Sequence, residues 1–97
     1  MSEYTQEAIK ALNEKLGGEG IEGGTAKFDL EGEGSFILDQ NGAREGDGDA
    51  DVTLSAEPDV FRQMFEGDLN PTSAFMSGKL SIDGDMGLAM KLAALLA

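Results

Sequence analysis

From Met86 to Ala97 the chain carries one charged side chain, Lys91. A helix apolar nearly all round has to be covered on most of its sides. Twelve residues of helix run about 18 Å, short of the ~30 Å of a bilayer's hydrocarbon core. The cover must therefore be the protein's own core, a partner chain or a bound apolar molecule, and that choice bears directly on function.

Ninety-seven residues with 40% apolar side chains fit one domain, residues 1–97. No apolar run is long enough for a membrane-spanning helix, and Met1-Ser2-Glu3-Tyr4-Thr5 lacks a signal-peptide pattern, so a cytoplasmic protein is expected. The chain has no Cys and no His, which excludes disulfides, thiol nucleophiles, imidazole bases and zinc sites built on N or S ligands. Nineteen acidic against seven basic side chains give a net charge of −12. That sign repels nucleic acid and predicts weak or no binding to anionic membranes, any such contact being hydrophobically driven.

Tyr4, Ala8, Leu12 and Leu16 share one helical face, with Ser2 as a candidate N-cap and Gly17 as the stop. Strands follow at Thr25–Leu30, Ser35–Asp39, Ala43–Glu45 and Ala50–Ser55, read from their alternation. Asn41-Gly42 signals a type I′ hairpin between the second and third, and the short, charged third strand suits a sheet edge. Pro58 opens a helix with Val60, Phe61, Met64 and Phe65 on one face, and Gly67 ends it. Asn70-Pro71 caps a shorter helix bearing Ala74, Phe75 and Met76. Lys79–Asp83 is a fifth strand, with Leu80 and Ile82 inward, and Asp85 caps the last helix. The order, one helix, four strands, two helices, a strand and a helix, predicts an α+β domain.

Two motifs fail on context. Gly18 to Gly23 matches G-x-G-x-x-G, but a helix precedes it and a strand follows, the reverse of a dinucleotide site, and Glu19 and Glu22 would repel a pyrophosphate. Asp47, Asp49 and Asp51 alternate like an EF-hand loop, yet Val52 and Pro58 stand where that loop needs Gly and Glu. Asp83 and Asp85 form an acidic pair without a basic partner. No nucleophile–base pair emerges, so neither an enzyme nor a cofactor is expected. The methionines other than Met1 cluster at Met64, Met76, Met86 and Met90, with Phe61, Phe65 and Phe75 among them. Flexible, polarizable Met suits an adaptable apolar surface, and it equally fills gaps in an ordinary core.

The run Gly67-Asp68-Leu69-Asn70-Pro71, then Ala74 to Leu80, then Ile82 to Leu92 resembles the C-terminal half of the sterol carrier protein 2 (SCP2) sterol-binding domain family. Leu38-Asp39, Asn41-Gly42 and Ala50 to Ser55 also fit, so the resemblance spans roughly residues 25–96. It implies a five-stranded mixed sheet with helices over one face and an apolar tunnel between them. That tunnel would accept a fatty acid, acyl-CoA, phospholipid, isoprenoid or sterol. By position, the implied lipid-binding residues are Phe61, Phe65, Phe75, Met76, Leu80, Ile82, Met86, Met90 and Leu92.

The chain departs from the family pattern in places. Phe36 stands where many relatives have Trp, and the strong acidity contrasts with many lipid-transfer relatives. The end at Leu95-Leu96-Ala97, without a peroxisomal tripeptide, reads as a stand-alone, bacterial-type member, for which a sterol is a poor guess. The expected function is a non-catalytic carrier of a hydrophobic lipid. The alternative is an accessory module of a lipid-metabolism complex that forms a homodimer or binds a partner through its apolar last helix. Arg62, Lys79 and Lys91 are the candidate cations for an anionic head group, although ordinary surface and helix-end roles account for each.

Overall fold

The computed structural model describes residues 3–96, so the expected cap at Ser2 lies outside the described residues. The elements are α1 (Glu3–Lys15), β1 (Ala26–Leu30), β2 (Gly34–Asp39), β3 (Gly42–Glu45), β4 (Val52–Ala56), α2 (Pro58–Glu66), α3 (Pro71–Met76), β5 (Leu80–Gly84) and α4 (Met86–Leu96). This is the α+β order expected from the sequence. The five strands form one sheet in the order β3-β2-β1-β4-β5. Only β1 and β4 are parallel, and the other three pairs are antiparallel, so the sheet is mixed.

Alternation decides which face of the sheet carries the core. Ala26, Phe28 and Leu30 are fully buried, and register sets Phe36 and Leu38 beside Phe28 and Ala26. Val52, Leu54 and Ala56 continue that face on the parallel side, followed by Ile82 and Leu80. The inward residues of all four helices join the same cluster, so the helices cover this face. The opposite face presents Lys27, Asp29, Ser35, Thr53 and Ser55. Ile37 lies on that opposite face yet is 6% exposed. The connection from β3 to β4 crosses over it: Ser35 Oγ donates to the Gly46 carbonyl at 3.4 Å, and Lys27 pairs with Asp47 at 2.5 Å.

Two expectations need correction. The β2–β3 turn has Gln40 and Asn41 as its central residues, since Asp39 pairs with Gly42. Neither takes positive φ; Gly42 alone does, at 102°, so this is not a type I′ turn. Instead the Asp39 carboxylate accepts the Asn41 N–H at 2.9 Å and pairs with Arg44, which favours a turn closed by a left-handed glycine. The fourth strand also begins later than expected, at Val52. Just ahead of it Asp51 is tied to Thr25 twice, its N–H donating to the Thr25 carbonyl and its carboxylate accepting the Thr25 N–H, both at 2.8 Å.

Gly84 positions the last helix. It sits at φ 114°, opposite Val52, and a Cβ there would lie 2.4 Å from the Asp51 carbonyl oxygen. That close approach lets the Asp85 N–H donate to the same carbonyl at 2.8 Å. Asp85 then caps α4, its carboxylate accepting the Leu88 N–H at 3.2 Å.

Candidate functional site

The interior has two unlike halves. Under α2, four phenylalanines pack ring against ring. Phe28 stacks on Phe36 with centroids 4.9 Å apart, Phe61 stacks on Phe65 at 5.8 Å, and Phe28 meets Phe61 edge-on at 5.5 Å. Such pairs fill space densely and add roughly 0.5–1.5 kcal/mol each beyond their buried area. The other half, under α3 and α4, is mainly aliphatic and incompletely filled.

There a cleft of about 220 Å³ opens between the sheet and the two helices. Its sheet side is Leu54 of β4 with Leu80 and Ile82 of β5, α3 supplies Pro71, Thr72 and Phe75, and α4 supplies Met86, Ala89, Met90, Ala93 and Leu96. The α4 residues recur every three or four positions, so they form one helical face. Its small members, Ala89 and Ala93, leave the space open. Asn70 orients α3, its side chain accepting from the N–H groups of Thr72 at 2.8 Å and Ser73 at 3.3 Å. The rim is wet: Phe75 is 44%, Met86 48% and Met90 71% exposed.

Five of the nine residues expected to bind lipid meet in this lining: Phe75, Leu80, Ile82, Met86 and Met90. Phe61 and Phe65 lie in the aromatic cluster, and Leu92 is fully buried in the core. Met76 lies outside the lining, 80% exposed. Leu54, Pro71, Thr72, Ala89, Ala93 and Leu96 complete the lining and are not among the nine. The signal for Ala89 and Ala93 was present, as small residues on the helical face of Met86 and Met90. The last helix is also less covered than its composition suggests. It buries Leu88, Ala89, Leu92 and Leu96 in the chain's own core, but Met90 and Leu95 remain open to solvent.

The lining contains one hydroxyl, that of Thr72, and no titratable side chain. Its chemistry is therefore the removal of apolar surface from water. The candidate head-group cations are engaged or outside the lining. Arg62 pairs with Asp59 and with Glu66, and Lys91 Nζ donates to the Glu22 carbonyl at 2.8 Å. Lys79 is exposed. Shifted carboxyls lie elsewhere: hydrogen bonding from Arg44 lowers Asp39, and hydrogen bonding from Lys27 lowers Asp47. With Asp47 paired to Lys27 and Asp51 bonded to Thr25, the alternating aspartates are not gathered as ligands. Among the described residues no helix is long and apolar enough to cross a membrane.

Known proteins share this architecture. The chain is 42% identical over 97 residues to a hydroxysteroid dehydrogenase-like protein 2 of Xenopus laevis, a match that takes in 90% of this chain and 23% of that protein. It thus spans under a quarter of that relative's length. The crystal structure of sterol carrier protein 2 like 2 from Aedes aegypti superposes with a TM-score of 0.77 at 22% identity, covering 94% of each chain. The solution structure of the Aedes aegypti sterol carrier protein 2 in complex with the C16 fatty acid palmitate gives 0.76 at 22% identity, covering 100% of this chain and 97% of that one. A family model, that of the SCP-2 sterol transfer family, matches residues 3–97. With the mixed sheet, the helices on one face and this match over nearly its whole length, the chain belongs to the SCP-2 sterol transfer family.

Proposed function

We propose that residues 1–97 form a lipid-binding unit that seats hydrocarbon in the cleft under α3 and α4 and performs no chemistry on it. The observation that carries this reading is the lining: an open, apolar space with a single hydroxyl and no ionisable group. Family membership and the palmitate bound by the Aedes aegypti protein support the same class of ligand. Phe75, Leu80, Ile82, Met86 and Met90 are the proposed contacts. Affinity comes from burial, at about 0.8 kcal/mol per methylene. A sixteen-carbon chain buried throughout would gain about 12 kcal/mol gross, from which translational and ordering losses of about 4 kcal/mol would leave micromolar binding.

The test has two arms. Purified protein is extracted with organic solvent and the extract weighed by mass spectrometry, and delipidated protein is titrated with a fluorescent fatty acid. Lipid in the extract and saturable uptake, lost in Phe75→Asp while the fold is retained by circular dichroism, are expected. An empty extract together with no uptake overturns the proposal.

A further inference from the structure

The polar groups at the mouth of the cleft are few and of one kind. Leu54, Leu80, Ala89 and Leu96 are buried and form its inner wall, while Thr72 stands exposed with the single hydroxyl of the lining. No hydrogen bond among the described residues uses that hydroxyl. The two helix starts beside it offer an anion nothing. At the head of α3, Asn70 Oδ1 already accepts the N–H groups of Thr72 and Ser73. At the head of α4, the Leu88 N–H is held by the carboxylate of Asp85, a negative charge next to the lining residue Met86. Neither lysine of this region lies in the lining: Lys91 Nζ reaches the Glu22 carbonyl, and Lys79 is exposed. The chain as a whole carries a net charge of −12.

We propose that the cleft selects a single-chain amphiphile with an uncharged head, an alcohol or another group that both donates and accepts, over the carboxylate anion of equal chain length, and that Thr72 recognises that head. This rests on the function proposed above and narrows its ligand class. A hydroxyl gives one donor and takes two, so the Thr72 hydroxyl and an alcohol satisfy one another while the tail lies against Leu54, Leu80 and Ala89. A carboxylate only accepts. It needs a cation or several donors to replace the water it leaves, and one hydroxyl does not suffice. Its charge also meets that of Asp85. A fatty acid still enters by its chain, but its head stays in the water beyond the rim and holds its first methylenes there. Withholding one or two methylenes, at about fourfold each, makes a difference of about tenfold.

The test sets straight-chain decanol against decanoate, each below its solubility limit, in displacing a fluorescent fatty acid from the delipidated full chain at neutral pH and fixed salt. Decanol is expected to displace the probe at about tenfold lower concentration than decanoate. Thr72→Val keeps the side-chain shape, and the Asn70 cap survives because it uses the backbone N–H. This variant should weaken decanol about fivefold and leave decanoate within about twofold. Lys79→Gln should leave both within about twofold. Decanoate that equals or betters decanol overturns the proposal, as does a Thr72→Val variant, folded by circular dichroism, that binds decanol as well as wild type. Decanoate weakened by Lys79→Gln beyond that range overturns it too, because a cation would then serve an anionic head. Failure of the probe itself to bind is a separate result: it removes the lipid-binding function, and this selectivity with it.

Discussion

The side-chain amide of Asn13 bonds the backbone of Ala43 twice, Nδ2 donating to the carbonyl at 3.1 Å and Oδ1 accepting the N–H at 2.9 Å. Ala43 lies on β3, the edge of the sheet, opposite Leu38 of β2. Its outward backbone groups would otherwise form an open template for another strand. Asn13 thus fixes α1 against the sheet and closes part of the edge with one side chain. Replacing Asn13 with Ala leaves both groups unpaired in a half-buried place, at a cost of about 1–3 kcal/mol. Urea denaturation should show the lower midpoint, and amide exchange should quicken at Ala43 while the N–H of Phe28, at the sheet centre, stays protected. Equal protection at Ala43 in the variant would show that water replaces the amide without loss.

The two halves of the interior predict opposite phenotypes for the same chemical change. Phe28 is fully buried and meets Phe36, Phe61 and Phe65, so Phe28→Ala should cost about 3–5 kcal/mol. Phe75 stands on the rim, 44% exposed, so Phe75→Ala should cost under about 1.5 kcal/mol yet weaken fatty-acid uptake several-fold. Thermal melts and uptake measured side by side check both. A large melting shift in Phe75→Ala would place that ring in the structural core instead.

These contrasts mark how far the sequence could be read. The elements were legible because each carried its own punctuation: Asn70-Pro71 at the head of α3, Gly67 at the end of α2, and strict alternation in Ala26, Phe28 and Leu30. Periodicity shows that a side chain points inward. It does not show whether the space beyond is filled. Phe61 and Phe75 look alike in sequence, but one meets another ring and the other meets a gap. The gap exists because Ala89 and Ala93 are small where α4 faces β5, and that depends on pairing distant segments. The β2–β3 turn was misread for a related reason. Asn41-Gly42 favours one turn in isolation, whereas the Asp39 carboxylate, bonded to the Asn41 N–H, favours another.

Arg44 and Asp39 give a pH-dependent term. The hydrogen bond from Arg44, and secondarily the Asn41 N–H, hold the Asp39 carboxyl below its ordinary value. A carboxyl lowered in the folded state stabilises it at pH above the unfolded value of about 3.9, and the contribution disappears as pH falls through the lowered folded value. Arg44→Met should therefore be less stable than wild type by a constant amount from pH 5 to 7, with the difference shrinking as pH falls below the ordinary carboxylate range. Taking the difference between the two proteins removes most of the general relief of acidic repulsion, which works in the other direction as a chain of net charge −12 is protonated. Paired urea melts across that range measure it, and a difference that persists at the acid end would mean that Arg44 acts through packing.

The size of the cleft predicts how affinity depends on chain length. A dry cavity of about 150 Å³ accepts a benzene ring. By the same scale the 220 Å³ found here seats about nine carbons. Up to that length each added methylene should tighten binding about fourfold, the equivalent of about 0.8 kcal/mol. Beyond it the chain runs out over Phe75, Met86 and Met90, which are already half wet, so each further methylene should gain much less. Calorimetric titration of straight-chain acids from six to sixteen carbons, at fixed salt and below their micellar concentrations, would show the change of slope. Ala93→Phe narrows the lining and should move the break to shorter chains. A slope that holds constant to sixteen carbons would mean that α3 and α4 part to admit the guest, and that the cleft seen without it is the closed form of a larger one.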